Sequence, residues 1–137
     1  QAAIEAGVLP GGGVALLRAA EALKSEEVQG EEGVGRNILI RALGQPIRTI
    51  AENAGEDGSV VARRVLKENE FPYGFNALSG EYGDMYAMGI LDPAKVTRTA
   101  LENAVSVAST LMTTDCLIVE AKSDEDETAQ AGMEGGY

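Results

Sequence analysis

Three consecutive glycines, Gly11 to Gly13, stand between two stretches whose apolar spacing predicts helix. Glycine loses more backbone entropy on folding than other residues, so this run indicates positive φ angles or the close approach of another group. A phosphate-binding loop of the Walker type needs Gly-Lys-Ser/Thr, whereas this chain has Gly-Val-Ala. The residues alone therefore favour a tight connection between helices over contact with a ligand.

The spacing of aliphatic residues predicts a mainly helical, all-α domain with short strands. Helices are predicted over 14–24, 34–43 and 47–54, from about residue 59, and over 94–113, with the last turn of another over 1–6. In the fourth of these, Ser59 is the predicted N-cap and Val60, Val61 and Val65 are predicted to point inward. The helix over 94–113 repeats apolar residues every three or four positions, which predicts that it crosses the core. A glycine- and aromatic-rich stretch before it predicts a hairpin turning near Ser79 and Gly80, and residues 116–121 predict a short strand.

Charge and composition exclude several classes of function. The net charge of −11, with no histidine, argues against nucleic acid or an anionic membrane as a partner. The single cysteine, Cys116, excludes an internal disulfide and suits a reducing compartment. Without histidine or a cysteine pair we expect no metal site, and no apolar run reaches the length of a membrane span. Because the chain opens at Gln1 without a methionine, we expect it to be a piece of a longer protein.

Two predicted regions divide the chain. Residues 1–122 form the body, and residues 123–137, which contain five of the 22 acids and no base, are predicted to be a disordered acidic tail. Asp92 followed by Pro93 predicts a helix start, with the Asp92 side chain as N-cap and the proline at the first helical position. The residues themselves indicate no catalytic group, since Cys116 has no histidine to act as its base.

Recognition of a family adds what the spacing does not give. Three stretches of this sequence, in this order, strongly resemble the C-terminal part of the group I chaperonins, the 60 kDa chaperonin family. They are GGGVALLRAAEAL, YGFNALSGEYGDM and MGILDPAKVTRTALENAVSVASTLMTTDCLIVE. The resemblance covers residues 1–122 and implies the second half of a chaperonin equatorial domain, an incomplete helical domain. The full-length parent would be an ATP-hydrolysing chaperonin that assists protein folding in a double-ring chamber.

The resemblance also implies a nucleotide site for ATP or ADP. Gly12 matches the glycine whose backbone meets the ribose, where a Cβ atom would hold the sugar away. Asn76 and Ala77 match residues at the adenine edge, and Ile90 matches an apolar wall against the base. Asp92 matches the carboxylate that accepts from the ribose hydroxyls. Its predicted roles as cap and as ligand residue are compatible, since a carboxylate has two oxygens.

This sequence departs from the family at several points. Leu78 stands where many members carry alanine, which alters the expected shape of the adenine pocket. The Asp-Gly-Thr-Thr-Thr loop that holds magnesium and phosphates is not in this sequence, and the water-activating aspartate is expected a few positions before Gln1. Magnesium and potassium are therefore implied for the full-length protein only, with no metal ligand or catalytic residue here. We expect this chain alone not to hydrolyse ATP.

Partners follow from the same resemblance. Arg48, Asp57 and Val60 match a contact region between rings, so the implied partners are other copies in stacked heptameric rings, a co-chaperonin and unfolded client proteins. The bacterial cytoplasm is the expected location, with an organelle matrix as the alternative. The competing hypothesis is a helical structural or oligomerisation module that binds no nucleotide.

Overall fold

Helices and short strands follow one another in a computed structural model that describes residues 6–113 and side chains up to Thr110. Strand β1 (Val8–Pro10) is followed by helices α1 (Val14–Lys24), α2 (Glu31–Leu43), α3 (Gln45–Asn53) and α4 (Gly58–Lys67). Then come strands β2 (Tyr73–Asn76), β3 (Glu81–Asp84) and β4 (Leu91–Pro93), and helix α5 (Ala94–Thr113). The predicted mainly helical class with short strands is confirmed.

The chain divides into two units, residues 1–101 and 102–137. Helix α5 begins in the first unit and continues in the second, and the packing described below belongs to the first. The predicted strand over 116–121, the acidic tail and most of the predicted helix turn over 1–6 lie outside the described residues.

The strands form two antiparallel pairs. Strands β2 and β3 make the predicted hairpin, with Asn76 opposite Glu81. Strand β1 pairs with β4, which lies about eighty residues later in the chain, so that Leu9 is opposite Asp92. Strands β1 and β4 were not predicted, because three-residue strands are too short to show a period of two.

The core lies where α1, α3 and α4 meet the hairpin. Its members are aliphatic except for one phenylalanine and one methionine, and each is less than 5% exposed: Val14, Leu17, Ile47, Ala51, Val61, Ala62, Val65, Phe75 and Met85. In α4 the inward residues are Val61, Ala62 and Val65, whereas Val60 is 52% exposed. The prediction that Val60 points inward is wrong, because the helix presents that position to solvent.

Gly13 shows why the chain gives up backbone order between β1 and α1. Its φ angle is +79°, and a Cβ atom added there would lie 2.6 Å from the backbone nitrogen of Ile47 in α3. Real Cβ atoms do not approach backbone so closely, and L side chains rarely adopt this φ angle. Gly13 is therefore required by the packing of α1 against α3.

Three helix starts differ from the prediction. Helix α3 begins at Gln45 rather than at Ile47. Helix α2 begins at Glu31 rather than Val34, which places two carboxylates in its first turn. There they interact favourably with the positive end of the helix dipole.

Helix α4 is capped by Asp57 rather than Ser59. The Asp57 Oδ1 atom accepts from the backbone N–H groups of Ser59 and Val60 at 2.9 and 3.0 Å. Asp57 has extended φ and ψ angles and a side-chain acceptor, which is typical of an N-cap residue.

Helix α5 has the predicted bounds but not the predicted burial. Val96 is 55% exposed and Val107 is 60% exposed, and Ala100, Ala104 and Ala108 are exposed as well. The prediction that this helix crosses the core is wrong for the described residues. Apolar periodicity identifies the face that needs a partner, but it does not say that the partner lies in the same chain.

Arg18 joins α1 to the end of α4. Its Nη2 atom donates to the carbonyl oxygens of Val65, Glu68 and Glu70 at 3.0, 2.8 and 2.7 Å. Burial lowers the pKa of Arg18 from its usual value, and nearby Glu21 opposes that shift. These contacts fix the segment that leads from α4 into β2, since the last carbonyls of a helix have no partner within it.

We expect Gly13→Ala to lower the free energy of unfolding by about 3 kcal/mol, because both the φ angle and the contact with α3 oppose a Cβ atom. Gly35→Ala is the matched control. Its added Cβ atom meets nothing within 4 Å inside α2, so it should stabilise the chain by about 0.5–1 kcal/mol. Urea denaturation followed by circular dichroism measures both. Equal midpoints for the two variants would contradict the packing role of Gly13.

We expect Arg18→Met to lower the free energy of unfolding by about 1–2 kcal/mol, because three carbonyl oxygens lose a charged donor. Lys24→Met is the control, since its 2.8 Å ion pair with Glu21 is exposed and should contribute less than about 0.5 kcal/mol. The same urea titrations apply. A loss in Lys24→Met as large as in Arg18→Met would show that the three carbonyl contacts contribute nothing specific.

Candidate functional site

Backbone pairing brings the glycine turn next to the segment that contains Ile90 and Asp92. Beyond the pairing of Leu9 with Asp92, the ladder continues through a hydrogen bond of 2.9 Å from the Gly11 N–H to the Ile90 carbonyl. Gly12 follows directly. Of the five predicted site residues, Gly12, Ile90 and Asp92 are therefore gathered by the β1–β4 pair.

Gly12 also touches the hairpin that carries the other two predicted residues. Its φ angle is +68°, and a Cβ atom would lie 2.8 Å from the Cε atom of Met85 and 3.4 Å from the Phe75 carbonyl oxygen. Phe75 immediately precedes Asn76 in β2. The flexible end of Met85 could shift, so the left-handed φ angle is the firmer reason for glycine at this position.

Asn76 closes the hairpin turn with its own side chain. The Oδ1 atom accepts from the backbone N–H groups of Leu78 and Ser79 at 3.0 and 3.4 Å, which is an Asx turn. This leaves the Nδ2 group as the part of the amide that could donate to a ligand. Ala77 is half-buried against the core, whereas Leu78 is 98% exposed. Leu78 therefore does not fill space inside the hairpin.

Ile90 and Asp92 differ in how far the protein itself uses their side chains. A Cβ atom at Gly11 would lie 3.0 Å from the Ile90 Cγ2 atom, so Ile90 packs partly on the glycine turn. Asp92 is half-buried in β4, and its carboxylate accepts no hydrogen bond from the residues that the structure describes. Helix α5 begins at Ala94, and Pro93 precedes its first residue. The prediction that Pro93 is the first helical residue, capped by Asp92, is wrong by one position.

The residues of the predicted ring contact lie where α3 meets α4. The exposed Asp57 caps α4, and a Cβ atom at Gly58 would lie 2.7 Å from the Arg48 carbonyl oxygen. Arg48 and Asp57 form no ion pair with each other, and the buried Nε atom of Arg48 has no hydrogen-bond partner. Asp57 and Val60 therefore present a carboxylate and an apolar side chain side by side on the surface.

Met85 is the residue that sequence reasoning missed. It is fully buried, and it lies beneath Gly12 and beside Gly74, where an added Cβ atom would come within 2.7 Å of its Cγ atom. Its N–H donates to the Pro72 carbonyl and its carbonyl accepts from Ile90, both at 2.9 Å. Gly12 and Gly74 were the available signal that a side chain packs closely on the backbone, but the sequence does not show that this side chain is Met85.

Residues 6–113, which the structure describes, contain neither a candidate metal site nor a candidate membrane span. No group of three or more carboxylate, histidine or cysteine side chains there is arranged to hold a metal ion. No helix in this part of the chain combines the length and apolar character needed to cross a bilayer.

Comparison with known proteins adds to this geometry. The TCP-1/cpn60 chaperonin family has a family model that matches residues 1–122. The chain belongs to the TCP-1/cpn60 chaperonin family. A solved structure titled "Crystal structure of group III chaperonin in the open state" is 35% identical and matches with a TM-score of 0.77. The match covers 85% of this chain and 25% of that chaperonin, so this chain corresponds to about a quarter of the longer protein.

The chaperonin comparison confirms the resemblance at the level of family and fold. The described part is chaperonin equatorial-domain-like. The matched structure is from group III, so the narrower assignment to group I stays a prediction.

We expect Asn76→Ala to lower the free energy of unfolding by about 1 kcal/mol, because the hairpin loses the acceptor of its Asx turn. Ser79→Ala is the control. The exposed Ser79 hydroxyl accepts from the Glu81 N–H over a long distance of 3.4 Å, so this contact should contribute less than about 0.5 kcal/mol. Thermal unfolding measures both. No difference between them would show that the Asx turn does not stabilise the hairpin.

Proposed function

We propose that this chain is part of an ATP-dependent chaperonin that assists protein folding in a double-ring chamber, and that it supplies the contacts to ribose and adenine. The observation that carries the proposal is the β1–β4 pairing, which sets the bare backbone of the glycine turn beside Ile90 and Asp92. Membership of the chaperonin family supports it.

The chemistry of these groups suits a nucleoside. Asp92 has an uncommitted carboxylate for ribose hydroxyls, and Asn76 has an uncommitted amide nitrogen for the acceptors of adenine. Ile90 and Ala77 are half-buried apolar residues suited to the faces of a base. Gly12 allows a ligand to approach the backbone.

The same groups do not suit the phosphates. Phosphoryl transfer needs cationic or metal groups around the transferred phosphate, and none of the five proposed residues is cationic. Magnesium, potassium and the phosphates of ATP would be held by residues outside this sequence. The chain by itself therefore binds a nucleoside weakly and does not hydrolyse ATP, while the whole chaperonin does.

We further propose that the chaperonin is of group I and works with a co-chaperonin on unfolded clients, in stacked heptameric rings in the bacterial cytoplasm. The exposed pair of Asp57 and Val60 at the start of α4 supports a ring contact there. Repetition around a ring would multiply a single weak contact.

Titration of the 15N-labelled chain with adenosine tests the nucleoside site without the phosphates. We expect chemical-shift changes at Gly12, Asn76 and Asp92, with a dissociation constant of about 1 mM or weaker. Asp92→Ala should weaken binding about tenfold, because the ribose loses a charged acceptor. Glu52→Ala, which removes an exposed charge on α3, should leave it unchanged. A parallel titration with ATP tests the role of the phosphates. Micromolar affinity for ATP in that titration would contradict the view that the phosphates need residues outside this chain.

The second candidate is a helical structural or oligomerisation module without nucleotide binding. The contact between Gly13 and α3 favours it, because packing alone explains one glycine of the turn. The exposed apolar face of α5 also favours association with another surface. Absence of shift changes at adenosine concentrations of about 10 mM would select this candidate over the nucleoside site.

A further inference from the structure

A basic groove lies among α1, α2, α3 and α4, separate from the proposed nucleoside site. Its volume is about 480 Å³, which is within the usual range for sites that bind small molecules or short peptide segments. The lining includes four cations, Lys24, Arg41, Arg48 and Arg63, and only one carboxylate, Glu21. Since the whole chain has a net charge of −11, this local excess of positive charge is opposite in sign to the rest.

Three of the four groove cations have no carboxylate partner among the residues that the structure describes. Glu21 is paired with Lys24 at 2.8 Å. Arg41, Arg48 and Arg63 form no ion pair with any carboxylate in the described part of the chain. The buried Nε atom of Arg48 has no hydrogen-bond partner. Three guanidinium groups thus remain available to carboxylates, which they can bind in a planar, two-point geometry.

The floor of the groove is apolar and its rim is charged. Leu17, Ala20 and Ala62 are each less than 5% exposed, whereas Arg41 and Arg63 are exposed. Small side chains at Ala20 and Ala62, together with Gly44, make the hollow. An occupant that complements this surface needs apolar groups facing the floor and carboxylates at the rim.

We propose that this groove binds an acidic, amphipathic peptide segment of a partner protein. Aliphatic side chains of the segment lie on the half-buried lining residues Ile40 and Leu66, and its carboxylates pair with Arg41, Arg48 and Arg63. Charge complementarity selects acidic segments over neutral ones, and the apolar floor distinguishes this site from simple attraction of anions. Arg41, Arg48 and Arg63 have no part in the nucleoside site, and Arg48 also belongs to the predicted ring contact.

Fluorescence anisotropy of the full 137-residue chain tests the groove with a labelled synthetic peptide in which leucines at helical spacing alternate with glutamates. The same peptide with glutamine in place of glutamate should bind about tenfold more weakly. The double variant Arg41→Gln/Arg63→Gln should bind the acidic peptide about twentyfold more weakly than the unaltered chain. Both arginines are exposed, so circular dichroism should show an unchanged fold.

Lys67→Gln is the matched control. Lys67 lies one turn beyond Arg63 on α4, is exposed and does not line the groove. Its loss should leave the affinity within about twofold of the unaltered chain. Equal loss of affinity in Lys67→Gln and in Arg41→Gln/Arg63→Gln would overturn the proposal. Equal affinity of the unaltered chain for the acidic peptide and the glutamine peptide would overturn it as well. So would self-association in sedimentation velocity that Arg41→Gln/Arg63→Gln abolishes, since the occupant would then be a second copy.

Discussion

Strands β1 and β4 are three residues long and about eighty residues apart in sequence, and their pairing sets the position of the glycine turn relative to the start of α5. Strand β1 leads into the glycine turn, and strand β4 leads into α5, so their ladder joins the entrances of two helices. The Gly11 N–H extends this ladder by donating to the Ile90 carbonyl. Short strands contribute few hydrogen bonds, and this pair is supported by Ile90, which directly precedes β4 and packs against the core.

The glycine turn serves packing and leaves room for a ligand at different residues. Gly13 is fixed by the backbone of α3, and Gly11 is limited by Ile90, so both would be glycine in a protein without any ligand. Gly12 meets only the flexible end of Met85 and one carbonyl oxygen at close range. The entropic cost of the run is therefore explained mainly by the fold. A nucleoside needs only one of the three bare positions.

Chaperonin membership and the exposed face of α5 are consistent with each other. This chain corresponds to about a quarter of the matched chaperonin. A helix that belongs to a core shows the apolar periodicity of a buried element. In the described residues that face remains exposed. The apolar periodicity is a property of the helix sequence alone, whereas burial also requires an opposing surface.

Spacing and motifs such as GILDPAKVTRTALENA were enough to predict the helical class, the bounds of α1 and α5, the hairpin and the family, because each of these depends on neighbouring residues in the chain. The sequence also named the candidate site residues, but only through resemblance. Tertiary structure alone decided that β1 pairs with β4, that Met85 lies under Gly12, that Asp57 caps α4 and that Arg18 holds the end of that helix. The physical reason is that these contacts join residues whose spacing carries no period, so only the packed chain shows which groups meet.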